Sequence, residues 1–133
     1  GGGGMAVREV CAAVMERDGL VLIGRRAEGA GAGLWEFPGG KRRDGEPPEG
    51  CVARECREEL DVVLRVGDCL TAFDWSDPPM RFSFYRARIV AGEPVCRVHT
   101  QLAWVRPQAL GEYPLCPADV HALDSMHLDA KEE

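Results

Sequence analysis

The stretch Arg54-Glu55-Cys56-Arg57-Glu58-Glu59-Leu60-Asp61-Val62 carries three glutamates separated by offsets of three and four. In a helix those offsets put all three carboxylates on one face. Val52, Cys56 and Leu60, spaced at four, make its core stripe. Pro47 and Pro48 suit a helix's first turn, so the helix is expected to run from there to about Leu60. Like charges at such offsets repel, and a helix's C-terminal end is already partly negative. A solvated acidic surface is one reading. The other is a bound cation, for which an all-oxygen donor set favours Mg²⁺ or Mn²⁺.

Working outward, Gly40 is followed by five residues, Glu46, seven residues, Arg54-Glu55, then Glu58-Glu59. Each fixed position matches by chance about one time in ten in a chain of this composition, so six together are a specific signal. The pattern resembles the Nudix box, a loop–helix–loop motif of enzymes that hydrolyse nucleoside diphosphates linked to another group. One position departs: Asp61 stands where the family usually has Gly. That site closes the helix at positive φ, which Asp tolerates better than most residues.

A pyrophosphate linkage carries clustered negative charge that repels hydroxide and carboxylate bases. Divalent cations offset that charge and acidify a bound water. The resemblance makes Glu55, Glu58 and Glu59 the expected metal ligands, joined by backbone carbonyls at Gly39 or Gly40. A simple tight turn is the alternative for the two glycines. Glu55 is either a ligand or the general base. Arg54 is expected to hold Glu55, or Glu46, by a charge-assisted hydrogen bond, completing a catalytic set of Glu55, Arg54 and Glu46. Arg57, four residues before Asp61, is most simply a helix-end ion pair of small worth.

The likeness extends beyond the box. Gly33-Leu34-Trp35-Glu36-Phe37-Pro38-Gly39-Gly40-Lys41 is similar to the approach to the box in the MutT group, which hydrolyses nucleoside triphosphates and clears oxidised ones. By the same likeness Arg25 and Arg26 reach substrate phosphate, unless they are a solvated surface pair. Phe37 stacks on the base or is a core aromatic, and Lys41 lies on the substrate side. Asp119, in Pro117-Ala118-Asp119, reads the base or caps the last helix. A second departure is Val98. Many MutT-like enzymes carry a metal-binding glutamate there, so another carboxylate substitutes, a metal site is weakened, or Gln101 helps through its amide oxygen.

The 133 residues are enough for one domain with a core, expected over 6–133, and 45% are apolar. Gly1 to Gly4 ahead of Met5 read as an artificial leader. A net charge of −6 argues against a nucleic-acid polymer as partner, and no apolar run reaches membrane-spanning length. The six cysteines form no CxxC pair and no signal peptide follows Met5, so reduced thiols in a cytoplasmic protein are expected, without zinc.

Strands are expected over Val7–Met15 and Leu20–Ile23, joined at Arg17-Asp18-Gly19, then over Val62–Val66, Cys69–Trp75, Phe82–Val90 and Leu102–Val105. A last helix, Ala118–Leu128, is expected to face inward through Val120, Leu123 and His127. Strands on both sides of a central helix suit a mixed α/β unit, and the resemblance implies an α/β/α sandwich around a mixed sheet. The implied activity is metal-dependent hydrolysis of nucleoside triphosphates to monophosphate and pyrophosphate, on oxidised purine or cytosine nucleotides. A non-catalytic nucleotide-binding module and a Nudix hydrolase of dinucleotides or ADP-sugars are the alternatives. Monomer and homodimer both remain open.

Overall fold

A computed structural model describes residues 8–128. Residues 1–5, the start of the expected first strand at Val7 and the outer ends of the expected 6–133 span lie outside them. The elements in order are β1 (Arg8–Arg17), β2 (Leu20–Arg26), β3 (Trp35–Glu36), β4 (Gly39–Lys41), α1 (Pro48–Leu60), β5 (Val63–Ser76), β6 (Pro79–Ala91), β7 (His99–Val105), a 3₁₀ helix (Pro107–Glu112) and α2 (Pro117–Met126).

The strands make one sheet in the order β3-β2-β1-β6-β5, with β4 also on β1 and β7 also on β2. Only β1 and β6 run parallel; the other pairings are antiparallel. One edge of β1 is shared. Its first half pairs with β4 at Val10–Ala12, and its end pairs with β2 at Glu16 and Arg17. The fork opens between β2 and β4, where the glycine-rich approach to α1 lies.

The period of two along β1 sorts its side chains onto both faces. Ala12 and Val14 join Val21, Ile23, Phe37, Phe84, Ala122 and Met126 in a cluster under α2. Cys11, Ala13 and Met15 join Leu22, Val52, Cys56 and Leu60 under α1. One helix on each face is the expected α/β/α sandwich. Among the described residues no helix is long and apolar enough to cross a membrane.

Several local expectations change. The two strands expected over Val62–Val66 and Cys69–Trp75 are one, β5, which starts at Val63 and whose register against β6 shifts at Val66/Cys69 and Cys69/Thr71. Gly67 and Asp68 fall at these bulges, so the apparent break in the pattern is a bulge and not a loop. In α2 the buried row is Ala118, Ala122 and Met126, with Asp119. Leu123 packs against the core, but Val120 is exposed and His127 is the C-cap in the left-handed conformation. The row at 118, 122 and 126 turns Val120 to the opposite side.

Candidate active site

The box helix ends as its sequence suggests. Asp61 has φ 60° and ψ 40°, and its N–H donates to the Arg57 carbonyl at 3.1 Å. Arg57 pairs with Asp61 at 3.8 Å, both well exposed. Arg97 was not singled out from sequence, yet it donates to the Glu58 carbonyl at 3.1 Å and lies 3.5 Å from Asp61. A cation there complements the negative end of the helix.

Arg54 organises the acidic face. Its Nε and Nη2 grip Glu46 at 2.7 and 3.0 Å, its Nη1 reaches Glu55 at 3.2 Å and Glu58 at 3.4 Å, and Nη2 also donates to the Lys41 carbonyl at 3.1 Å. The two-pronged grip of Arg54, with a bond from the Arg43 N–H, drops the Glu46 carboxyl to about 2. Both expected partners of Arg54 are therefore held at once.

Glu59 is different. Burial, then the facing Glu55 carboxyl, pushes it up to about 9, and its Oε1 is buried without a hydrogen-bond partner. Glu58 stays half exposed, near Arg43 at 3.9 Å.

Gly39 and Gly40 lie in β4, paired with Ala12 and Cys11, and not in a tight turn. Space demands glycine at both. A Cβ on Gly39 would sit 2.2 Å from the Cys11 carbonyl oxygen, and one on Gly40 would sit 2.3 Å from Glu55 Cδ. The Glu55 carboxylate thus lies directly against the Gly40 backbone. Cys51 Sγ–H donates to the Gly40 carbonyl at 3.4 Å, fixing it from the core side.

No three acidic, histidine or cysteine side chains among the described residues converge on one point. Arg54 draws Glu55 and Glu58 toward itself. The donor set nonetheless suits a hard divalent cation. It offers an unpartnered buried carboxylate oxygen on Glu59 with the Glu55 carboxyl close to it. Val98, in the place of the extra glutamate, is half exposed, and the Gln101 amide oxygen is occupied by Arg25 at 3.2 Å.

The second half of the site lies at the start of α2. Trp35 N–H donates to the Pro114 carbonyl and Cys116 N–H to the Trp35 carbonyl, lashing the approach of α2 to β3. This puts Asp119 beside Phe37, whose N–H donates to Asp119 Oδ2 at 2.8 Å. The N-cap of α2 is Cys116, so the capping alternative for Asp119 falls. Burial, partly offset by the Phe37 bond, lifts the Asp119 carboxyl to about 7.

Phe37 contributes its backbone only. Its ring is 2% exposed and meets Phe84 edge-on, so stacking by Phe37 is corrected to a core role. Half-buried aromatics missed from sequence take its place as a candidate base wall. Phe73 stacks on Phe82 and Phe84, meets His121 of α2 edge-on at 4.4 Å, and adjoins Trp75. Their alternation along β5 and β6 was the available signal; the approach of α2 was not.

Arg25 and Arg26 both fasten the 27–34 loop. Arg25 Nε donates to the Gly33 carbonyl, and Arg26 to the Ala30 carbonyl and to Glu36. Lys41 is exposed on β4.

The chain matches the NUDIX domain over residues 5–130 and belongs to that family of hydrolases. It is 35% identical over 124 residues to the CTP pyrophosphohydrolase of Escherichia coli, covering 91% of this chain and 92% of that one. It is 35% identical to the putative 8-oxo-dGTP diphosphatase 2 of Mycobacterium tuberculosis, over 83% of this chain and 81% of that one. The solution structure of the E. coli ORF135 protein superposes with a TM-score of 0.80 at 35% identity, covering 95% of this chain and 93% of that one.

Proposed function

We propose that the chain is a Mg²⁺- or Mn²⁺-dependent nucleoside triphosphate pyrophosphohydrolase that releases monophosphate and pyrophosphate. Its substrates are cytosine or oxidised purine nucleotides, the chemistry named for its relatives. The observation that carries this is the Glu59 oxygen buried without a partner beside Glu55, against a glycine backbone. A solvated acidic surface has no reason to bury a carboxylate oxygen unpaired.

Glu58 and Glu59, with the Gly39 or Gly40 carbonyl, would hold the cation, which when bound would supply screening of the phosphate charge and a more acidic water. Of its two expected roles, Glu55 is assigned that of proton acceptor for the water and not of ligand, and Arg54, anchored on Glu46, keeps it in place. Arg25 is assigned to substrate phosphate, since its bonds to Gly33 and Gln101 are solvent-exposed and exchangeable. Arg26, tied to Glu36, has a positioning part, and Lys41 lies on the approach to the triphosphate.

At the other end Asp119 reads the base. One oxygen is fixed by Phe37 N–H, and the other is left to accept from an amino or N–H group of cytosine or 8-oxoguanine. The Phe73–Phe82 wall supplies stacking area. The test is pyrophosphate release from CTP and 8-oxo-dGTP. Excess EDTA is expected to abolish it, and added Mg²⁺ or Mn²⁺ to restore it. Undiminished turnover in chelator overturns the metal-dependent reading.

A further inference from the structure

His99 opens β7, and its side chain is buried at 2% exposure. Its Nε2 lies 2.9 Å from Glu36 Oε2 on β3. These strands are not neighbours, because β2 lies between them. Two strand spacings, about 10 Å, separate β7 from β3. The ring crosses β2 at Gly24, where a Cβ would stand 2.6 Å from His99 Cδ2 and within 2.8 Å of Nε2. Only glycine lets the imidazole lie across that strand.

Glu36 is thereby held from two sides. Arg26 Nη1 donates to its Oε1 at 2.9 Å, and His99 faces its Oε2. The His99 Nδ1 is buried and without a hydrogen-bond partner. The ring's one hydrogen bond is to Glu36, and because a carboxylate accepts, Nε2 is the nitrogen that donates. The clamped carboxylate precedes Phe37, whose N–H holds Asp119. It is also near enough to add to the upward push on both Asp119 and Glu59.

We propose that His99 is a positioning residue for base selection: reaching over Gly24, it fixes Glu36, the residue before the Phe37 N–H that holds Asp119, so that base discrimination depends on His99 through Glu36. The inference rests on the nucleotide reading above.

The test compares kcat/KM for CTP and 8-oxo-dGTP with Mg²⁺ in wild type, His99→Ala, Glu36→Gln and the double variant. Each single change is expected to shift the ratio about tenfold, mainly through KM, and the double no further than the larger single. Gly24→Ala, which drives the ring away without removing it, is expected to reproduce the shift. It also serves if His99→Ala folds poorly. In wild type the His99 ¹⁵N signals are expected to show Nε2–H, with that signature altered in Glu36→Gln. A lowered Tm with an unchanged ratio makes His99 merely structural and overturns the proposal, as do single effects that multiply in the double variant. Either result leaves the hydrolase reading standing. No pyrophosphate from either substrate with wild type overturns that reading and this inference together.

Discussion

At residue scale the site depends on what glycine and burial permit. Gly40→Ala puts a methyl into the Glu55 carboxylate, since the new Cβ falls 2.3 Å from Cδ. Displacing a catalytic carboxylate by an ångström costs about a hundredfold in rate. A fall in kcat of that size is expected, with little change in Tm, measured by pyrophosphate release and a melting curve. Asp119 gives a prediction in pH. Its folded value is about 7 against an ordinary 3.8. Between those values the folded molecule keeps a proton that the unfolded chain has lost, so stability falls as pH rises through that window. Asp119→Asn still accepts from Phe37 N–H but cannot ionise. It is expected to melt about 5 °C above wild type at pH 8 and to lose that advantage toward pH 4. An equal gap at both pH values refutes the buried-carboxyl account.

At the scale of elements, the box helix was legible because its information is local. Offsets of three and four fix the carboxylate face and the Val52–Cys56–Leu60 stripe, and Asp61 closes the end with its own backbone. The Arg54–Glu46 grip spans only eight residues, so it too could be anticipated. Its pH consequence has the opposite sign from that of Asp119. Glu46 sits at about 2 against an ordinary 4.5, so its stabilisation is full above about 4.5 and is lost as pH falls toward 2. Glu46→Gln is expected to lower Tm at neutral pH, with the gap to wild type closing across that acid window, and to reduce kcat by loosening Arg54. A gap that persists at pH 2 argues against the ion pair. What was not legible depended on packing between distant elements. Val120 matched an apolar stripe by type, but the sheet chose the row of Ala118, Ala122 and Met126. The bulged β5 read as two strands because Gly67 and Asp68 interrupt its pattern without ending its pairing.

At the scale of the whole molecule, the contacts that complete the site join residues 63 and 82 positions apart, His99 with Glu36 and Asp119 with Phe37. No spacing rule reaches so far; the strand order β7-β2-β3 and the lashing of α2 to β3 bring them together. The sheet also partitions the thiols. Cys11, Cys51 and Cys56 lie inside the layer under α1, where burial pushes Cys51 up to about 12 and the other two upward as well. Cys116 is raised to about 11, while Cys69 and Cys96 face solvent. Thiolates, not thiols, attack electrophiles. Brief treatment of native protein with iodoacetamide at neutral pH is therefore expected to alkylate Cys69 and Cys96 and to spare the rest, with all six modified after unfolding, as read by intact mass and peptide mapping. Alkylation of native Cys51 would break this account. Dyes or spin labels can then be carried at two natural handles, one on β5 and one just ahead of β7, while the sulfur that steadies the Gly40 carbonyl stays out of a reagent's reach.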